Sequence, residues 1–581
     1  MSIFKDLWWF FKLEKKAYIT GVFFLLVVAL LELIPPKVVG YVVDEIRNGT
    51  ISGSKLWKAV IILGLSGLIT YIARYIWRIM MFGASVRLAR KLRNELFEHF
   101  TNMSSSFYQR KRVGDLMAHA TNDVQAVQQT AGSGVLTFVD SLVTGGFVLL
   151  TMAAAISWKL TLISLIPMPL MALSTCYYGT LLHKRFHKAQ EAFSSLNDKV
   201  QESISGIKVV KTFGEEKDEI KDFKAQSKDI VMKNIAVAKV DSLFNPTISL
   251  IVGFSFFLAL TFGSKMVLQN EITLGDLISF TTYLGLLIWP MLAFGWLFNI
   301  VERGRASYDR VSSLLAENPE IKEVEQAITT PPKGDLEVAI QSFSYHTHQT
   351  ALKNIHFYLE KGQTLGIIGK TGAGKTTLLK LLLREFEGYK GAIRFDEHLI
   401  QEYSLKALRS SIGYVPQDHF LFSATIADNI SFARPDASYA EIQKAAEMAY
   451  VHQEIMEFPH QYETMVGEKG VSLSGGQRQR ISIARAILLN PEFLILDDAL
   501  SAVDARTEEA IVQSLKNNRR GKTTIITSHR LSAIQHADLL LVLDEGEIIQ
   551  SGTHEQLLEL EGWYQDMYIR QQLENQVELG G

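Results

Sequence analysis

A run of residues near the middle of the chain has the types and spacing of a phosphate-binding loop. Gly369–Thr376 reads GKTGAGKT and fits the pattern G-x-x-x-x-G-K-[ST] between an apolar run, TLGIIG, and a helical run, TTLLKLLL. Glycines let backbone N–H groups curl around a phosphate, and the following helix N-terminus adds partial positive charge. The predicted nucleotide-binding residues here are Gly369, Lys370, Thr371, Gly372, Ala373, Gly374, Lys375, Thr376 and Thr377.

Two acids follow a second apolar run. Phe493–Asp497 reads FLILD, and Asp498 comes directly after it. In a nucleotide-binding α/β domain, an acid at the end of a buried strand is placed to hold Mg²⁺, usually through water. We therefore expect Lys375 to reach the β- and γ-phosphates, with the Thr376 hydroxyl and Asp497 at the metal ion.

A third motif opens a helix further along the chain. The five residues LSGGQ precede RQRISIARAIL, and the serine is a good N-cap. An ordinary capped helix start is one reading, and an anion site at the helix N-terminus is another. The residues concerned are Leu473, Ser474, Gly475, Gly476 and Gln477.

LSGGQ is the signature of the ATP-binding cassette, and the chain resembles that superfamily over its full length. The resemblance implies that Tyr345 stacks on adenine and that Gln417 contacts Mg²⁺ alongside Thr376 and Asp497. It further implies that the loop from Ser501 to Asp504 crosses between two cassettes. His529, in ITSHR, matches the switch histidine that contacts the γ-phosphate.

Asp498 departs from the cassette pattern, in which this position is the glutamate that orients or activates the attacking water. Aspartate is one methylene shorter, so its carboxylate retreats by roughly 1.5 Å. A misplacement of about 1 Å can cost on the order of a hundredfold in rate. We therefore predict that Asp498 and His529 form a weak catalytic pair.

One chain supplies one phosphate loop and one signature, whereas cassettes of this superfamily sandwich ATP between the loop of one and the signature of another. The chain is therefore expected to pair. A weak site beside a sound one resembles the asymmetric heterodimeric multidrug exporters of bacteria, to which the whole sequence is similar. This predicts a non-identical half-transporter as partner, although a homodimer that tolerates Asp498 stays open.

The composition is compatible with both a large soluble enzyme and a membrane protein. The chain has 581 residues, of which 48% are hydrophobic and 21% charged, and its mean hydropathy is +0.11. These values exclude collagen-like, low-complexity and disordered chains. A net charge of -2 gives no reason to expect nucleic-acid binding, and the single Cys176 excludes an internal disulfide framework.

The apolar residues are concentrated in the first half, in blocks long enough for helices to cross a roughly 30 Å hydrocarbon core. Flanking Lys and Arg residues predict that both termini and the cassette lie in the cytoplasm. The resemblance to bacterial exporters implies a multi-pass chain in the plasma membrane of a bacterium. The six predicted spans are about 18–43, 56–82, 135–157, 160–182, 248–268 and 277–300.

The predicted fold class is multidomain. An all-α six-span transmembrane domain with long cytoplasmic helix extensions covers 1–315, a linker covers 316–335, and an α/β phosphate-loop cassette covers 336–575. The extensions contain few helix breakers and are expected to turn back near Phe107 and near Gly214. By resemblance, short coupling helices lie around Phe107 and over 213–223.

The resemblance to exporters implies ATP-driven efflux of hydrophobic drugs by alternating access, with ATP and Mg²⁺ as cofactors and lipids around the spans. Glu32 and Asp140 are carboxylates inside apolar spans, and such groups suggest a function by default. They and the aromatic Trp289 and Trp296 are candidates for a substrate cavity. A paired or interfacial acid and simple aromatic packing are the alternatives. Lipid or peptide export, or a membrane drug sensor with little flux, also stays open.

Overall fold

The computed structural model describes residues 2–345, 349–467 and 473–580. The chain divides into two compact units. A helical unit comprises Met1–Thr101 and Arg112–Glu317, and an α/β unit comprises Asn102–Lys111 and Asn318–Gly581. The second unit is therefore built from two separate stretches of sequence.

Fifteen α-helices precede the first strand, among the described residues, and three π-helical turns lie at His119–Asp123, Thr130–Gly134 and Met152–Ser157. The sixth helix belongs to the α/β unit. The α-helices are α1 (Ser2–Asp6), α2 (Trp8–Leu13), α3 (Lys15–Leu31), α4 (Ile34–Arg47), α5 (Gly53–Asn102), α6 (Ser105–Arg110), α7 (Val113–Ala118), α8 (Val124–Gln129), α9 (Val135–Thr151), α10 (Trp158–Leu165), α11 (Met168–Ser205), α12 (Ile207–Phe213), α13 (Glu216–Leu268), α14 (Leu274–Leu286) and α15 (Ile288–Leu315).

Five helical stretches are long and apolar enough to cross a membrane, in the part of the chain that the structure describes. They are Lys15–Arg47, Gly53–Asn102, Val113–Leu165, Glu216–Leu268 and Leu274–Leu315. The third contains predicted span three and the start of predicted span four. Ser157 separates these two, since its extended backbone caps α10 and its side chain accepts from Leu160 N. The remainder of span four lies in α11.

Predicted spans one and six each consist of two helices instead of one. Span one breaks between α3 and α4, next to Pro35 and Pro36, and span six breaks at Leu287, just before Pro290. Proline has no N–H for the i−4 carbonyl and its ring clashes with that carbonyl, so the helix restarts at these points. Hydropathy alone does not reveal such breaks, because proline does not interrupt the apolar run.

Helix α4, which follows the first break, and helix α14, which precedes the second, pack backbone to backbone. A Cβ built on Gly275 would lie 2.1 Å from the carbonyl oxygen of Gly40. Around this approach, Asp44 Oδ1 accepts from Gly275 N at 2.8 Å, and Ser279 Oγ donates to the Pro36 carbonyl at 2.9 Å. Small residues that allow close helix approach are typical of helix contacts inside membranes.

A buried carboxylate joins two elements of the helical unit that lie outside its predicted spans. Asp123 lies in the first π-helical turn, and Arg310 Nε donates to its Oδ2 at 3.0 Å. Ser307 Oγ donates to Asp123 Oδ1 at 2.8 Å, and His119 Nδ1 lies 2.7 Å from Oδ2. These bonds tie the helix that leads into span three to the end of α15.

The α/β unit contains two sheets. The first is antiparallel, with order β2-β1-β4-β5, and the second has order β10-β9-β3-β8-β7-β6, with β10 antiparallel to β9 and the other neighbours parallel. The strands are β1 (Leu336–Ser344), β2 (Thr350–Leu359), β3 (Thr364–Gly369), β4 (Lys390–Phe395), β5 (His398–Leu399), β6 (Ile412–Val415), β7 (Phe493–Asp497), β8 (Thr523–Thr527), β9 (Leu539–Asp544) and β10 (Glu547–Gly552).

Helices cover the six-stranded sheet, and every residue of β7 is buried, which explains the apolar run Phe493–Leu496 ahead of Asp497. Phe493 belongs to the core shared with the antiparallel sheet, and the next residue, Leu494, belongs to the core on the other face. Such burial on both faces is typical of central parallel strands. The helices are α16 (Lys375–Leu382), α17 (Leu405–Ser410), α18 (Ile426–Ser431), α19 (Tyr439–Met448), α20 (His452–Glu457), α21 (Gly475–Leu488), α22 (Ala505–Asn518), α23 (His554–Glu559) and α24 (Trp563–Gly580).

The short helix expected around Phe107 is α6, and it packs within the α/β unit. Arg110 forms a 2.8 Å ion pair with Glu320, and Ser106 donates to the same carboxylate. The second short helix lies earlier than expected, because α12 ends at Phe213 and Gly214 adopts a left-handed conformation (φ +73°). Residues 216–223 instead begin the long helix α13.

The backbone approach of α4 and α14 generates a stability prediction. Gly275→Ala places a methyl group against the Gly40 carbonyl, so we expect the purified protein to lose about 1–3 kcal/mol of stability, the usual cost of overpacking. Thermal unfolding in detergent measures the loss. Gly253→Ala is the control, since no atom lies within 4 Å of a Cβ there in the described residues. Equal melting temperatures for the two variants would contradict the prediction.

Candidate functional site

The loop between β3 and α16 has the conformation that its glycines permit. Gly372 and Gly374 have φ values of +86° and +99°, in the region that favours glycine. A Cβ on Gly374 would also lie 2.7 Å from Leu352 Cδ2, so this position cannot carry a side chain without a shift. Gly374 is the N-cap of α16, and the loop therefore delivers the helix N-terminus directly to the site.

Lys375 is buried at the start of α16, and its ammonium group contacts the backbone of the phosphate loop. Its Nζ donates to the carbonyl of Gly369 at 2.7 Å and to that of Lys370 at 3.0 Å. Burial lowers the pKa of Lys375, while Asp498 and Asp497 act in the opposite direction. A buried cation beside oriented N–H groups creates a strong field for a phosphate.

Asp497, at the end of β7, is the centre of a hydroxyl network. Thr527 Oγ1 donates to Asp497 Oδ1 at 2.8 Å, Thr376 Oγ1 to the same oxygen at 3.1 Å, and Tyr414 OH to Oδ2 at 3.4 Å. The carboxylate is 2% exposed, so these bonds supply its only solvation among the described residues. The network also brings Thr376, which is distant in sequence, next to Asp497.

These oxygens fit Mg²⁺, which is held in nucleotide sites by a few protein groups together with phosphates and water. Thr376 Oγ1 and Asp497 Oδ1 point at each other across 3.1 Å, and Gln417 lines the same cleft. No group of three or more His, Cys, Asp or Glu side chains in the described ranges could hold an ion. The remaining ligands would therefore come from the nucleotide and water.

Asp498 adopts a left-handed backbone conformation (φ +48°), which aspartate tolerates better than most residues. Its N–H donates to Thr527 O and Thr527 Oγ1, at 3.1 and 3.0 Å. Burial raises the pKa of the Asp498 carboxyl; His529 opposes this rise and Asp497 adds to it. The side chain is thus held at the cleft beside both Asp497 and His529.

Tyr345 packs its ring edgewise against two phenylalanines, with ring centroids 5.1 Å from Phe343 and 5.2 Å from Phe386. Its hydroxyl donates to Thr377 Oγ1 at 3.1 Å. The tyrosine is therefore fixed to the first turn of α16, at the rim of the phosphate loop.

A cleft of about 800 Å³ collects these groups. Predicted residues in its lining are Tyr345, Thr371, Gly372, Ala373, Gly374, Lys375, Thr376, Thr377, Gln417, Asp497, Asp498 and His529. Lys353 on β2, and Glu545 and Gly546 in the turn between β9 and β10, also line it, and motif reasoning missed them because none belongs to a sequence motif. Lys370 instead pairs with Asp544 at 3.1 Å.

The signature residues Leu473 to Gln477 are not among the described residues that line this cleft. They open α21, where Ser474 accepts from Gln477 N and the Gln477 side chain accepts from Ser474 N. Asp504 caps α22 in a similar way by accepting from Thr507 N. Ser501 Oγ donates to the Asp498 carbonyl at 3.0 Å, so the loop between β7 and α22 is anchored to the end of β7.

Two further residues hold the segment around His529. Gln571 on α24 donates to the His529 carbonyl at 2.7 Å and accepts from Leu531 N at 2.9 Å. The buried Glu508 pairs with Arg530 at 3.1 Å. Sequence reasoning missed both, because the partners are far apart along the chain and match no motif.

In the helical unit, Glu32 forms an ion pair with Arg74 of α5. Asp140 Oδ1 accepts from Thr144 Oγ1 at 3.0 Å. Trp289 and Trp296 pack edge to face, with ring centroids 5.4 Å apart. The paired-acid alternative therefore holds for Glu32. Arg74 is one of two arginines within predicted span two, and a cation inside an apolar span was the signal that could have indicated a partner for Glu32.

Comparisons with known proteins agree with this geometry. Residues 18–291 match the family model for the ABC transporter transmembrane region, and residues 352–501 match the ABC transporter family model. The solved structure of a bacterial Atm1-family ABC exporter with ATP bound superimposes with a TM-score of 0.80 at 25% identity, covering 96% of this chain and 99% of that one.

Curated relatives extend over the full length. A probable multidrug resistance ABC transporter ATP-binding/permease protein, YheI of Bacillus subtilis, is 46% identical across 98% of both chains. The multidrug resistance-like ATP-binding protein MdlA of Escherichia coli is 47% identical over 99% of this chain and 97% of its own length. The chain therefore belongs to the ABC transporter family, as an exporter half-transporter in which a helical transmembrane domain precedes an ATP-binding cassette.

Proposed function

We propose that this chain is one subunit of a heterodimeric exporter that uses ATP to move hydrophobic drugs out of a bacterial cell. Its own phosphate loop would form a weak ATP site, and its signature would complete a sound site against a non-identical partner. ATP binding would close the cassettes and switch the spans from inward- to outward-facing. Both termini and the cassette would lie in the cytoplasm, as the flanking cations predict.

The observation that carries the proposal is Asp498, which occupies the position after the Mg²⁺-holding acid. Its backbone is fixed by the two bonds to Thr527, so the shorter side chain cannot be offset by a local shift without breaking them. The Asp498 carboxylate would therefore lie farther from the attacking water than a glutamate carboxylate at this position. The name multidrug resistance in two full-length relatives supports drugs as the cargo.

The pairing with another cassette rests on the position of the signature. Ser474, the N-cap of α21, is not among the described residues that line the chain's own cleft, although a helix N-terminus can bind an anion. In this proposal it receives the γ-phosphate of the ATP that the partner's phosphate loop holds. Ser501 and Asp504 lie on the loop that would run along the partner.

The roles within the chain's own site follow from its contacts. Tyr345 would support the adenine, and Lys375 would leave its two carbonyl partners for the phosphates. Thr376, Gln417 and Asp497 would hold Mg²⁺, which neutralises phosphate charge when it is bound. His529 would contact the γ-phosphate while Gln571 holds its carbonyl.

For the cargo we propose cationic amphiphilic drugs. Glu32 is paired with Arg74, whereas Asp140 accepts from the neutral Thr144 hydroxyl, so the formal charges of these three groups sum to one negative charge. Trp289 and Trp296 offer flat apolar faces, and both are more than half exposed. Aromatic faces and an unbalanced carboxylate suit a flat cation.

Lys375→Ala should weaken ATP binding to the chain's own loop at least tenfold, because the buried ammonium and its field are removed. Photolabelling with an azido-ATP on the separate chain measures this loss. Lys380→Ala, on the same helix, is the control and should leave labelling unchanged. Equal labelling of both variants would contradict the assigned loop.

Asp498→Ala should lower ATP turnover of the assembled heterodimer less than about threefold, because a weak site contributes little to the total. The same substitution at the partner's catalytic acid should abolish turnover. ATPase assays in proteoliposomes measure both effects. Brisk ATP turnover by this chain alone, as a homodimer, would overturn the heterodimer and the weak site together.

Asp140→Asn should lower vesicle efflux of a cationic dye about fivefold, the factor expected for a charge interaction of roughly 1 kcal/mol, and leave a neutral dye unaffected. Ser141→Ala is the control, since its buried hydroxyl has no hydrogen-bond partner in the described chain. Equal losses for both dyes would assign Asp140 a structural role and remove the argument for cationic cargo.

A further inference from the structure

Gln479 is a fully buried amide of α21 that lies beside the loop following β7. Its Nε2 donates to the Asp498 carbonyl at 3.3 Å, and its Oε1 accepts from Ala502 N at 3.0 Å. One side chain thus holds both ends of the five-residue segment from Asp498 to Ala502. Glutamine suits this position because its amide is a donor and an acceptor at once.

The start of α21 also packs against the same segment. A Cβ on Gly476 would lie 3.0 Å from the Ala502 carbonyl oxygen, and one on Gly475 would lie 3.8 Å from Ala502 Cβ. The two signature glycines therefore allow the helix to approach the loop closely. Gln479 follows them on the next turn and fixes this approach with hydrogen bonds.

On its other side the segment is bonded to the phosphate-binding machinery. Asp498 N donates to Thr527, and Thr527 Oγ1 donates to Asp497, which also accepts from Thr376 Oγ1. A continuous series of hydrogen bonds thus leads from the phosphate loop through β7 and β8 to Gln479. Every member is buried or half-buried, where an unpaired polar group is costly.

We infer that Gln479 is a positioning residue that couples the two ATP sites of the assembled transporter. It joins Asp498, which faces this chain's own ATP site, to the signature helix, which completes the partner's site. ATP binding at this chain's own site thereby changes the position of the N-terminus of α21. The inference rests on the proposed function, because it requires a second cassette.

The substitution Gln479→Leu keeps most of the volume and removes both hydrogen bonds. It leaves Asp498 O with Ser501 Oγ alone and Ala502 N without its partner. We expect kcat of the assembled transporter to fall about tenfold while KM for ATP changes less than about twofold. Azido-ATP labelling of the chain's own loop should stay within about twofold of wild type, since Gln479 does not line the cleft.

Gln479→Glu separates the two bonds. Its carboxylate still accepts from Ala502 N but turns an oxygen toward the Asp498 carbonyl, so we expect an intermediate kcat. Ser482→Ala is the matched control on the same helix, because this buried hydroxyl has no hydrogen-bond partner in the described ranges. It should leave kcat and KM unchanged.

A double-mutant cycle between Gln479→Leu and Lys375→Ala tests the coupling itself. Lys375→Ala empties the own site and should lower turnover at the partner's loop. If Gln479 couples ATP binding at the own site to hydrolysis at the partner's site, ATP turnover of the double variant should lie within about twofold of that of the slower single variant. Losses that multiply, or no loss from Lys375→Ala alone, would overturn the inference and leave the exporter intact. A wild-type pair without ATPase activity would overturn the inference and the proposed function together.

Discussion

The buried carboxylate of Asp497 is the interaction on which the nucleotide site depends. It ends a strand with no exposed residue, and a carboxylate in that position needs several donors. Thr376 and Thr527 supply them, which fixes the phosphate-loop helix and β8 to the end of β7. The Asp498 backbone is positioned by the same threonine of β8. The sheet, the phosphate loop and Asp498 are therefore held together at one carboxylate.

A different constraint governs the helical unit. A spanning segment must satisfy its backbone internally, so proline breaks are tolerated only where neighbouring groups take up the released carbonyls. The structure shows this at the first break, where Tyr283 OH donates to the Leu33 carbonyl at 2.6 Å and Ser279 Oγ to that of Pro36. Side chains of α14 thereby satisfy carbonyls at the break before α4, and the two helices make the close backbone approach described above.

The sequence predicted those features whose signals are local. The phosphate loop, the acids at the end of β7 and the capped start of α21 each lie within one continuous stretch and have the expected local structure, and the apolar blocks are helical. The breaks in spans one and six and the position of α12 could not be obtained this way, because hydropathy is blind to backbone geometry. Arg74 beside Glu32 and Gln479 beside Ala502 are tertiary pairs. Their partners lie on other elements, so only the folded chain brings them together.

The packing of α6 with the α/β unit has a consequence for how this protein can be divided. A fragment cut at the change of unit, from residue 318 onward, would lack the helix whose Arg110 and Ser106 bind Glu320. It would also uncover the place that the buried Phe107 occupies. A chimera in which the cassette is exchanged with that of a relative would face the same difficulty. The segment from Asn102 to Lys111 would have to be exchanged together with the linker that follows residue 317. The α/β unit is thus discontinuous in sequence, and recombination at a single crossover would separate α6 from the rest of the unit with which it packs.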